Sequence, residues 1–199
     1  MAALVVVVAL VVAIWPRGGD ESPSGQGGES RTSATPAAAD PELAGTLAPC
    51  PAPTAGSGPL AGVTLDCLRD GAGADLGSVL GGKPALVNLW AYWCAPCAQE
   101  LPVLQDFAGR ANGAVTVLTV HSDPDRAKAV ARLADLSITT LPGYQDGDGR
   151  VAKTVSAPPV LPVSVLVRAD GSVAKVLAHP FTSVDEVADE VRATLGVAA

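Results

Sequence analysis

"ALVNLWAYWCAPC", residues 85–97, runs from an apolar segment straight into a pair of cysteines. Its first nine residues form a nearly continuous apolar run of strand length, the pattern of a central strand buried on both faces. A helix is predicted to follow. Pro96 stands near its first turn, where a missing N–H costs nothing, and Leu101, Leu104 and Phe107 recur behind it at helical spacing. Pro102 falls inside this helix and is expected to kink it. Cys94 and Cys97 thus lie at a strand-to-helix junction. A helix N-terminus carries unpaired N–H groups and partial positive charge, which stabilises a thiolate at Cys94. Cys97, one turn on, can close a disulfide with it. An exposed, acidic thiol of this kind attacks a substrate disulfide, and its neighbour resolves the mixed disulfide. Pro96 stiffens the small ring.

Two other uses of the spacing stay open. A zinc site wants four ligands, but the remaining cysteines, Cys50 and Cys67, lie far apart, and only His121 and His179 could supplement them. A purely structural disulfide is the other reading.

Further along, "AVTVLTV", residues 114–120, reads as a second buried strand. Ser122 offers an N-cap before Pro124, and Ala127, Val130, Leu133 and Leu136 mark the next helix. "DGDG", residues 146–149, lacks the spacing of a calcium loop and reads as a surface turn. "PVSVLV" and "SVAKVLA" are strands joined across Asp170-Gly171, a hairpin signal. Ser183 caps a last helix with Val184, Val187, Val191 and Leu195 on one face and Gly196 at its end. The predicted order β-α-β-α-β-β-α makes an α/β fold with a mixed sheet flanked by helices.

The N-terminal third differs. Residues 2–15 are apolar without a break, short of the roughly 20 residues that span a bilayer. The segment reads as a signal h-region or a membrane anchor, although no basic stretch precedes it and no clear cleavage site follows closely. Residues 16–62, rich in Gly, Pro, Ser and Ala, read as a flexible tether. The folded domain is expected over residues 63–197. The net charge of −7, with no basic run, argues against a nucleic-acid partner.

This combination resembles the thioredoxin superfamily, and within it the TlpA/ResA-like, membrane-anchored thiol-disulfide oxidoreductases. "VNLWAYWCAPC" with "AQELP", "VSAPPVLPVSVLV" and "RADGSVAKVLAHPFT" carry the resemblance over residues 63–196. It implies a thioredoxin fold with an added N-terminal strand or hairpin. It makes Cys94 the nucleophile and Cys97 the resolving thiol, with Trp93 packed against the motif. It places a cis Leu161-Pro162 bond opposite the cysteines and gives Glu100 the role of tuning thiol protonation. Asn88 occupies the strand position where cytosolic thioredoxins hold a buried aspartate, so proton work shifts to Glu100. Trp90 points to the other side of the strand, as core. No cofactor is implied beyond the redox disulfide. The implied partners are protein substrates, among them apocytochrome c, and an integral membrane thiol donor. The implied protein is a monomer at the outer face of the cytoplasmic membrane. Reduction is the implied direction. An oxidant, a peroxide-reducing relative and a metal or haem chaperone remain alternatives.

Cys50 and Cys67 have no counterpart in the motif. In an oxidising compartment they are expected to form a structural disulfide pinning the tether to the domain edge. An electron relay to Cys94 and Cys97 is the alternative.

Overall fold

The computed structural model describes residues 38–198. Strand β3 (Ala85–Trp90) is buried along its whole length. It pairs in parallel with β4 (Thr116–His121) on one side and antiparallel with β6 (Val163–Val167) on the other. The alternation of a strand sorts these residues. Ala85, Val87 and Leu89 join the core on one face of the sheet, and Leu86 and Trp90 the core on the other. Asn88 has the parity of the second set.

Four further strands complete the sheet, and helices cover both faces. β1 (Thr64–Cys67) and β2 (Gly73–Asp75) form an N-terminal hairpin, β5 (Gly143–Gln145) joins β1 to β4, and β7 (Val173–Leu177) extends β6. The strand order is β2-β1-β5-β4-β3-β6-β7. The Trp90 face is covered by α3 (Ala95–Ala111), α4 (Arg126–Asp135) and α6 (Val184–Leu195). The Val87 face carries α2 (Leu76–Leu80) and α5 (Arg150–Thr154). The result is the expected mixed sheet between helices, with the added hairpin.

The folded unit begins before residue 63. Helix α1 (Pro41–Thr46) is capped by Asp40, whose carboxylate accepts from Glu42 N–H. Leu47 and Leu60 are buried, and Cys50 is bonded to Cys67. Between them the chain is strapped across the domain: Thr54 N–H donates to the Ser78 carbonyl, and Ser57 Oγ to that of Asp170. Gly58 has φ +91°, and a Cβ there would stand 2.1 Å from the Gly171 carbonyl oxygen. The part of the expected tether from residue 41 to 62 is therefore structured. Composition hides this, because two leucines, one disulfide and close backbone approach do the anchoring. The segment read as anchor or signal lies outside the described residues. Among the described residues no helix is long and apolar enough to cross a membrane.

Two local expectations change. Asp125, not Ser122, caps α4, accepting from Lys128 N–H at 3.1 Å. Asp146 is buried rather than part of an open surface turn, because its carboxylate caps α5, accepting from Arg150 and Val151 N–H at 2.9 Å each. Pro102 lies inside helix α3, as expected. Ser183 caps α6 as expected, its Oγ accepting from Glu186 N–H, and Gly196 ends it in the left-handed region.

Candidate functional site

β3 ends at Trp90, and after three intervening residues the chain enters α3 with Cys94 as the N-cap. Cys94 has extended φ/ψ, its N–H bonds the Ala91 carbonyl, and Pro96 occupies the first turn as predicted. Cys94 and Cys97 form a disulfide with their Cα atoms 5.3 Å apart, and Cys97 N–H donates to Cys94 Sγ at 3.3 Å. The α3 dipole therefore points its positive end at Cys94 Sγ. The expected open exposure of this sulfur is not found: Cys94 keeps 5% of its surface and Cys97 none. The asymmetry still has a consequence, since an incoming group meets Cys94 and not Cys97.

Trp93 directly precedes Cys94 and stands at the surface. It is 59% exposed, its indole N–H held at 3.0 Å by Asp123 Oδ2. It lines an apolar groove of about 270 Å³ together with Ser122, Pro158, Val160 and Leu161. The Leu161–Pro162 bond is cis. Pro162 is buried at the entry to β6, and Leu161 packs on the apolar cluster that contains both cysteines. Trp90 is buried, as read from the strand.

Glu100 follows Cys97 by three positions on the same helix face. It is completely buried. Its Oε2 accepts from Asn88 Nδ2 at 2.8 Å and its Oε1 from Phe181 N–H at 2.9 Å. Asn88 Nδ2 also reaches Ser164 Oγ at 3.3 Å, while Asn88 Oδ1 has no hydrogen-bond partner among the described residues. Burial pushes the Glu100 carboxyl above its ordinary value, against the lowering effect of its two hydrogen bonds. Such a group exchanges a proton with a neighbouring thiol more readily than an exposed glutamate.

Ser164 and the Phe181 amide carry no signal in the local sequence, being 76 and 81 residues from their partners. Asp123 and His121 also reach this region from outside the local motif, through the Trp93 indole and the Tyr92 N–H. The second disulfide, Cys50–Cys67, lies on β1, on the far side of β5 and β4 from β3.

A family model described as Redoxin matches residues 45–191. Over 71 residues the chain is 41% identical to a thioredoxin of Mycolicibacterium smegmatis; that stretch is 35% of this chain and 63% of the relative, less than two thirds of its length. A secreted Mycobacterium tuberculosis disulfide oxidoreductase homologous to E. coli DsbE has a similar structure. It is 29% identical with a TM-score of 0.56, covering 65% of this chain and 94% of that one. MTB DsbF, solved in mixed oxidized and reduced forms, is 28% identical with a TM-score of 0.58, covering 65% of this chain and 92% of that one. With its mixed sheet, its helix-capping cysteine pair and these matches, the chain belongs to the Redoxin family, within the thioredoxin superfamily.

Proposed function

We propose that this protein is a thiol-disulfide oxidoreductase that acts on protein substrates through Cys94 and Cys97. The observation that carries the reading is the disulfide at the α3 N-terminus with a buried carboxyl one turn behind it. In the reduced protein the Cys94 thiolate attacks one sulfur of a substrate disulfide. A Cys94–substrate disulfide forms, and the other substrate sulfur leaves as a thiolate that takes a proton from solvent. Glu100 accepts the Cys97 proton. The Cys97 thiolate then attacks Cys94 Sγ, expelling the second substrate thiolate and closing the Cys94–Cys97 disulfide. Two electrons pass from the dithiol to the substrate, and no cofactor enters. The groove walled by Trp93 and Leu161 receives the substrate chain.

Reduction is the direction we favour, with apocytochrome c thiols as a client class and an integral membrane thiol carrier as the donor. We place the protein on the extracytoplasmic side, as a monomer held by its N-terminal segment. The Cys50–Cys67 disulfide supports that side, since such bonds persist in oxidising compartments. So does the likeness to a secreted relative. We assign Cys50–Cys67 a structural role, separate from the redox pair.

Two measurements test this. The purified protein should reduce a peptide disulfide, and Cys94→Ser should abolish that turnover; a Cys94→Ser protein as active as the parent would end the proposal. The Cys94–Cys97 couple should lie near the thioredoxin value of about −270 mV, and a value near the DsbA figure of about −120 mV would make the protein an oxidant instead.

A further inference from the structure

Disulfide exchange at Cys94 and Cys97 gives no task to His121. This residue closes β4 and is completely buried, with its ring centroid 5.0 Å from that of Trp90 and 6.0 Å from that of Tyr92. Tyr92 N–H donates to its Nε2 at 3.3 Å. A backbone amide can only donate, so Nε2 is bare and the ring proton sits on Nδ1. Nδ1 faces Gln145 Oε1 at 3.1 Å. The other end of that amide, Gln145 Nε2, donates to the Asp123 carbonyl, which can only accept. Backbone groups thus define both ends of the relay, and only one tautomer and one amide orientation satisfy it. Asp123 also holds the Trp93 indole through Oδ2. Both residues that immediately precede Cys94 are tied to this relay.

We propose that His121 is a positioning residue for Cys94: its neutral imidazole holds the Tyr92–Trp93 turn, and so sets Cys94 and the Trp93 wall of the groove in the geometry that receives a substrate disulfide. The proposal rests on the thiol-disulfide reading above. Because His121 acts as an acceptor toward Tyr92, protonation of Nε2 would break the bond that does the holding.

The charged groups around the ring are few. Asp123 and Asp125 lie in the loop before α4 and favour the protonated ring. Lys128 of α4 sits 4.8 Å above the Tyr92 ring and is paired with Asp125 at 3.0 Å. Asp146, after β5, donates its N–H to the His121 carbonyl, and its carboxylate is occupied by the α5 cap. Burial outweighs the two aspartates and keeps the imidazole below the ordinary value of 6.5. The ring is therefore neutral at neutral pH, and the holding bond is lost only in acid.

The test compares the reduced wild type with His121→Phe, which keeps an aromatic ring between Trp90 and Tyr92 but no nitrogen. The second-order rate constant for reducing a peptide disulfide is measured across roughly pH 4.5 to 8, spanning the histidine range. At the alkaline end the variant should be about tenfold slower, the loss expected when one hydrogen bond no longer holds the reacting group. The gap should close as pH falls through the His121 titration, because the wild type then loses the same bond. A gap independent of pH, or no gap at all, would overturn the proposal. If His121→Phe does not fold, the ring-nitrogen shifts of the wild type decide. Protonated Nδ1 with bare Nε2 at neutral pH is expected, and a protonated Nε2 refutes the role. A folded wild type that reduces no disulfide at any pH brings down the thiol-disulfide reading itself, and this role with it.

Discussion

Glu100 carries a stability cost that depends on pH. Its carboxyl is buried, and among the described residues two donors compensate it. In the unfolded chain it ionises near the ordinary 4.5, while in the folded protein burial holds the value higher. Between those two values the folded state retains a proton that the unfolded state has released. The stability contributed by this group is therefore complete below pH 4.5 and lost as pH rises through the folded value. Glu100→Gln should be more stable than the parent at pH 7, with the difference vanishing near pH 4, as read by urea denaturation at both values. Asn88 can accommodate the change, since its unpartnered Oδ1 can turn to accept the new amide N–H. The same variant lacks the carboxylate proposed as the base for Cys97. The resolution step should slow about a hundredfold, the low end of a general-base contribution, in a single-turnover trap of the Cys94–substrate disulfide. Equal resolution rates would remove Glu100 from the proton path.

Short elements owe their stability to caps and anchors that act over one turn. Ser183 supplies the only side-chain oxygen accepting Glu186 N–H at the start of α6 among the described residues. Ser183→Ala should cost about 1 kcal/mol in thermal or chemical unfolding, with redox turnover unchanged. The strap between α1 and β1 has no such regular structure and depends on single anchors. Leu60 is 1% exposed, and its carbonyl accepts from Val63 and Gly77 N–H. Leu60→Ala should destabilise by roughly 2–5 kcal/mol, the range for truncating a buried leucine. A loss below about 0.5 kcal/mol, the surface value, would mean that residues 47–62 are the loose tether their composition suggests.

At the scale of the fold, the described residues form a sheet with a separate apolar core on each face, and two disulfides sit in different places within it. Cys94–Cys97 closes the end of the central strand, whereas Cys50–Cys67 clips the strap to a strand near the sheet edge. Replacing both Cys50 and Cys67 by alanine opens a loop of sequence separation 17 and should cost about 3 kcal/mol of stability. Turnover well below the melting temperature should stay at the parent level. A collapse of turnover in a protein that remains folded would instead show that electrons pass through the second pair.

The sequence alone determined the central strand, the helix that follows it and the placement of Cys94 and Cys97 at their junction. Each of these is written in neighbouring residues: an apolar run, a proline at a first turn, a helical repeat. The hairpin at Asp170-Gly171 and the Ser183 cap were legible for the same reason. β5 and α5 were not, because three and five residues carry too little periodicity to stand out. Only the tertiary structure decided that Glu100 is buried between Asn88 and the Phe181 amide, that His121 accepts from Tyr92, and that residues 41–62 belong to the fold. Those facts depend on which surfaces lose water and which donors the sheet register brings together from up to 81 residues away, and neither quantity is encoded within a few residues of the group it controls.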